Sequence, residues 1–66
     1  MRVHFDEQAD AVYVRLDDSR IVESKEVQPG VILDLDSSQQ VVGVEILGVK
    51  KRISLADLKE VRVQIA

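Results

Sequence analysis

Apolar and polar residues alternate along this chain with a period of two, the mark of strands that keep one face wet. Val3 and Phe5 alternate with Arg2, His4 and Asp6, and after the polar "EQAD" Val12, Val14 and Leu16 alternate with Ala11, Tyr13 and Arg15. If residues 7–10 form a four-residue loop, Asp6 faces Ala11, Phe5 faces Val12 and Val3 faces Val14. The apolar faces then coincide, so the register of this hairpin is self-consistent. The same register sets His4 beside Tyr13, and Arg2 opposite Arg15, a repulsive pair unless both splay into water. Asp6 and Asp10 flank the loop, where short carboxylates bond backbone amides.

The segment "DDSR" is a turn, and "IVESKEV" after it reads as an edge strand whose charges discourage unwanted pairing. Its register stays open between a bulge and a partner chain, because Ile21 and Val27 share a parity that Val22 lacks. Pro29 and Gly30 mark the next turn. The clearest hairpin follows, "VILDLD" and "VVGVEIL" joined through "SSQQ". With Asp36 facing Val41, Leu35 meets Val42, Leu33 meets Val44 and Val31 meets Ile46, so one face is wholly apolar. The other face pairs Asp36 with Val41, Asp34 with Gly43 and Ile32 with Glu45. That second face is mixed. Ile32, Val41 and Leu47, with Tyr13 if the hairpins adjoin, form an apolar strip suited to cover by a helix or a second subunit. These four residues are the interface candidates.

Gly48 breaks the strand pattern. In "SLAD", Ser54 stands at a helix N-cap with Asp57 three residues on, which predicts a short helix with Leu55 and Leu58 inward. Two turns hold only by docking on the sheet. Val61, Val63 and Ile65 then alternate with Arg62 and Gln64, a strand signal that pairs either within the chain or with another copy. The expected fold is α+β: one domain over residues 1–66, a small antiparallel sheet in two or more hairpins with one short C-terminal helix, of five strands, or of six if residues 61–65 add a final one.

A chain of 66 residues buries only roughly 60% of the surface its unfolded form exposes. Small domains supplement such a core with disulfides, metals or self-association. The chain has no cysteine and one histidine, which excludes disulfides and thiolate or His-rich metal sites. Self-association remains, and a homodimer is expected. The net charge of -3 and pI near 4.9 offer no general attraction to phosphate, so nucleic acid is not an expected partner. Lys50, Lys51 and Arg52 form too short a basic run to alter that. The N-terminus turns acidic where a signal peptide is apolar, and no apolar run reaches membrane-spanning length. A cytoplasmic protein with no membrane partner is expected.

Asp34, Asp36 and Glu45 are the only candidate metal ligands, three oxygen donors suited to Mg²⁺ or Ca²⁺ if the strand face gathers them. Hydrolysis there needs a base, which only Asp6, Asp10 or His4 can offer from the first hairpin. The competing reading is a solvated strand face with Asp36 capping a turn. Ser24, Ser37, Ser38 and Ser54 lack the context of an activated nucleophile, and three scattered glycines make no phosphate loop. No catalytic residue and no cofactor are assigned. Gly43, opposite Asp34, marks either a bulge or a close approach.

Asp6, Asp10, Ala11, Tyr13 and Leu16 are followed by Glu23, Ser24, Val27, Pro29, Gly30, Asp34, Asp36 and the run Gly43, Glu45, Ile46, Leu47. The order of these elements resembles the bacterial domain-of-unknown-function family numbered 2283. The resemblance spans residues 5–47 and leaves the C-terminal helix and strand outside. It implies a fold without an established activity. Similar small proteins are sometimes encoded beside small toxin-like proteins, which implies a neutralising partner as one role. The expected function is therefore a non-enzymatic, self-associating protein-binding module, with a small basic protein as a further partner; the alternative is a metal or small-ligand site on Asp34, Asp36 and Glu45.

Overall fold

The computed structural model describes residues 1–66 as five antiparallel strands and two short helical turns. The strands are β1 (Arg2–Asp6), β2 (Ala11–Arg15), β3 (Glu23–Gln28), β4 (Val31–Leu35) and β5 (Val41–Leu47). A 3₁₀ turn (Val49–Lys51) and a one-turn helix α1 (Leu55–Leu58) follow. The sheet order is β1-β2-β5-β4-β3, so β5 inserts between the two halves of the chain.

The first hairpin has the register that its apolar alternation dictates, from Arg2 opposite Arg15 to Asp6 opposite Ala11. Its arginines do splay. Arg2 bonds Asp18 at 3.1 Å, while Arg15 turns to the carbonyls of Asp17 and Ser19. In the β4/β5 hairpin, Val31 faces Ile46, Leu33 faces Val44 and Asp34 faces Gly43, as the pattern requires. Leu35 departs from it. A bulge makes Val42 the extra residue and sets Leu35 opposite Val41 instead. The loop causes the shift: the Asp36 carboxylate accepts the amides of Ser38 and Gln40, both at 2.9 Å, and Gln39 takes a positive φ of 62°. A second bulge, at Val27, lies between Glu26 and Gln28, and Ile21 and Val22, whose parities differ, both fall before β3 begins.

Two short clamps hold the ends of the sheet. At one, residues 16–22 cross the ends of β5 and β4, with Leu16 N–H on Val42 O at 2.8 Å and Val22 N–H on Leu35 O at 2.9 Å. Val42 and Leu35 are buried there. At the other, Asp10 (φ 52°) accepts Val49 N–H on its carbonyl at 3.2 Å and Lys50 N–H on its carboxylate at 2.9 Å. Val49 and Ala11 are the residues buried near this clamp.

Ser54 caps α1 as its sequence predicts, accepting Asp57 N–H at 3.2 Å. The helix does not dock deeply: Leu58 is half-buried and Leu55 exposed. The final strand expected over residues 61–65 does not form. Val61, Val63 and Ile65 have no strand beside them and are 63%, 71% and 93% exposed, because alternation supplies a face but not a pairing partner.

The sheet is left as a single layer. Five of 66 residues are buried, whereas a stable domain normally packs two layers around its core. On one face Val3, Val14, Val44 and Leu33 form a cross-strand row, and Phe5, Val12, Ile46 and Val31 form the next. None of the eight is buried. The rows end on β3 at Lys25 and Gln28.

Candidate functional site

The opposite face carries the polar chemistry. Pairing β2 with β5 sets Arg15 opposite Gly43 and Tyr13 opposite Glu45, while Gly43 lies opposite Asp34 and Asp34 opposite Ser24. Tyr13 reaches diagonally over Gly43. Its hydroxyl donates to Asp34 Oδ2 at 2.6 Å, and Ser24 donates to Asp34 Oδ1 at 2.6 Å. Arg15 approaches the Tyr13 oxygen at 3.4 Å. The set ties β2, β4 and β3 together across β5.

Glycine at position 43 makes this possible. A Cβ there would lie 2.4 Å from the Tyr13 hydroxyl and 3.0 Å from its Cζ, well inside contact distance. Close approach is therefore the meaning of Gly43, and what approaches is a side chain of the same chain.

Asp34 raises the pKa of the Tyr13 phenol, first by accepting its hydrogen bond; burial adds to this and Arg15 partly opposes it. The Arg15 guanidinium is held more firmly protonated, chiefly through Tyr13. Asp17, at the start of the crossover, is lowered by hydrogen bonding from Ser19. Tyr13 is thus a donor fixed on a carboxylate, and Asp34 has both oxygens engaged.

The metal candidates are not brought together. Asp34 is taken by Tyr13 and Ser24, Asp36 by two loop amides, and Glu45 stands between Tyr13 and Ile32 in the register. No three acidic or histidine side chains converge as a metal-binding group. Among the interface candidates, Tyr13, Ile32 and Leu47 lie half-buried on this polar face. Val41 does not join them. The bulge sets it opposite Leu35, on the apolar side, where it is 38% exposed. The strip is thereby broken, and the larger bare apolar surface is the face that the alternation marks as core.

Nothing in the sequence marks Ser24 and Arg15 as neighbours of Tyr13 and Asp34. The registers of β1/β2 and of most of β4/β5 are readable, but only the β2/β5 neighbourhood brings Tyr13 within reach of Asp34. No match is found among curated proteins or among solved structures. The family model described as protein of unknown function (DUF2283) covers residues 2–50, which include all five strands and both end clamps, and the chain belongs to that family.

Proposed function

We propose that the protein is a non-enzymatic protein-binding module that self-associates as a homodimer through its bare apolar sheet face. The observation that carries this reading is the pair of four-residue apolar rows, none of whose residues is buried although the alternation marks this face as core. Area supports it. A folded monomer of 7.4 kDa exposes about 4,200 Å², whereas this chain exposes 5203 Å². The excess is about 1,000 Å², and a standard interface takes about 800 Å² from each partner. The exposed residues 61–66 and the uncovered sheet face both contribute to that excess. The radius of gyration agrees: 12.7 Å against about 11 Å for a compact domain of this length.

Two copies stacked through this face form two layers about 10 Å apart, the ordinary packing of a sandwich. Lys25 and Gln28 at the rim suit a polar border. The net charge of -3 favours a basic protein as any further partner, which fits neutralisation of a small toxin-like protein; a stoichiometric basic companion on co-purification would support that narrower role. No arrangement of Asp34, Asp36 and Glu45 favours the metal reading.

The test is sedimentation over a dilution series of the intact chain and of Val44→Thr. Threonine keeps the branched shape but puts a hydroxyl at the middle of the contact, costing about 1–3 kcal/mol per copy when buried without a partner. In the wet monomer it costs little. A dimer that Val44→Thr weakens at least tenfold is expected. A folded monomer at all concentrations refutes the proposal.

A further inference from the structure

We infer that residues 61–65 add as a sixth strand to the open edge of β1 in a second copy of the chain. The two edges of the sheet are not equivalent. β3 is guarded by Glu23, Lys25 and Glu26 and twisted by its bulge, devices that deter strand addition. β1 has no bulge, and its Val3 is 45% exposed.

The hydrogen-bond alternation identifies which groups of β1 are free. Leu16 donates its N–H to Val42 on the β5 side, so in β2 the even residues turn toward β5 and the odd residues toward β1. Tyr13, Arg15 and Ala11 therefore exchange bonds with His4, Arg2 and Asp6, their partners in the register. Val3 and Phe5 turn their N–H and C=O groups to the open edge. An antiparallel strand bonding at those two residues needs apolar side chains at both, on the apolar face.

The segment Val61, Arg62, Val63, Gln64, Ile65 meets that requirement in two registers, and charge selects between them, because setting Val61 opposite Phe5 and Val63 opposite Val3 would bring Glu60 against Asp6. Val63 opposite Phe5 and Ile65 opposite Val3 extend the two apolar rows by one strand. Gln64 then meets His4, and Arg62 meets Asp6, an opposite-charge pair. Arg62 now bonds only Glu60, at 2.8 Å and exposed, while Asp6 uses Oδ1 to accept Ala9 N–H at 3.0 Å and keeps Oδ2 for Arg62. The segment lies free of its own sheet, with Ile65 93% exposed, so the occupant is a second copy. A reciprocal exchange closes as a two-fold dimer. This contact is separate from the stacked face.

The experiment mixes equal amounts of isotope-labelled and unlabelled chain and records filtered NOEs between them. Contacts between Phe5 of one copy and Val63 of the other are expected. Val63→Pro, in an exposed segment where folding is not at risk, removes the pairing N–H and is expected to abolish those contacts and weaken association about tenfold. Asp6→Asn keeps the loop acceptor and Arg62→Gln the length; each should weaken association about two- to fivefold, and the double variant no further. Phe5 to Val63 contacts found only within one chain, or none, overturn the inference. If Val63→Pro changes nothing while Val44→Thr dissociates the protein, the face contact stands and the strand exchange falls; the reverse result removes the face contact alone.

Discussion

Replacing Gly43 with alanine tests whether the latch of Tyr13 over β5 is what this glycine serves. To reach the roughly 3.5 Å of ordinary contact, the Tyr13 hydroxyl, at 2.4 Å from the new Cβ, must move by about 1 Å. That breaks a 2.6 Å bond to Asp34. A hydrogen bond to a charged group is worth about 1.5–3 kcal/mol, and water recovers part of it at a half-exposed site, leaving a loss of about 1–1.5 kcal/mol. Displacing the ring adds about 1 kcal/mol of overpacking. Against these, alanine is favoured over glycine within a strand by about 0.5–1 kcal/mol. Gly43→Ala should therefore destabilise by about 1.5 kcal/mol. In a Tyr13→Ala background the clash disappears and only the backbone gain remains, apart from a small adjustment of Asp34 Oδ2 at 3.2 Å. The sign should reverse. Urea unfolding followed by far-ultraviolet circular dichroism, at one fixed concentration so that association contributes equally, measures all four corners of the cycle. Equal effects of Gly43→Ala in both backgrounds would show that the ring is not the reason for glycine.

Tyr13 is the only tyrosine and the chain has no tryptophan, so the tyrosinate absorbance band reports this phenol alone. Its folded pKa is raised, so its contribution to stability is complete below the unfolded value near 10 and fades as pH rises through the folded value; Asp34→Asn should bring the titration down, and an unchanged midpoint would refute the assignment of cause. Gln39 holds a φ of 62°, strained for a residue with a Cβ, and Gln39→Gly should stabilise by about 0.5–1 kcal/mol in thermal melts; a loss of stability would mean that its side chain matters. Asp10 combines a φ of 52° with the Lys50 amide bond. Asp10→Asn, which tolerates that backbone and keeps an acceptor, should cost much less than Asp10→Ala, at about 1–2 kcal/mol, as read by urea midpoints.

How much of this was legible in the chain follows from what alternation encodes. A period of two assigns each residue to a face, and matching two apolar faces fixes the register of a hairpin, so β1/β2 and most of β4/β5 could be read directly. It does not say which hairpins adjoin. The insertion of β5 between β2 and β4 brings Tyr13 to Asp34, and no local pattern marks it. Nor does alternation place a bulge: Val41 and Val42 are both apolar, and the loop capped by Asp36 decides which of them is the extra residue. The strand signal at residues 61–65 is real as a face preference but finds no neighbour in its own chain.

What lies over the apolar face is a separate matter, and here the sequence holds a usable count. Eight apolar residues on four strands need a covering layer, and the only helix is four residues long, too short to provide one. The polar face compensates locally. By linking β2, β4 and β3 through Tyr13, Asp34 and Ser24, it braces the single layer from the side that a stacked partner would not touch. The two faces therefore separate two properties that a buried core would combine: changes at Gly43, Tyr13 or Asp34 should lower the stability of monomer and assembly alike, whereas Val44→Thr should act on the assembly alone.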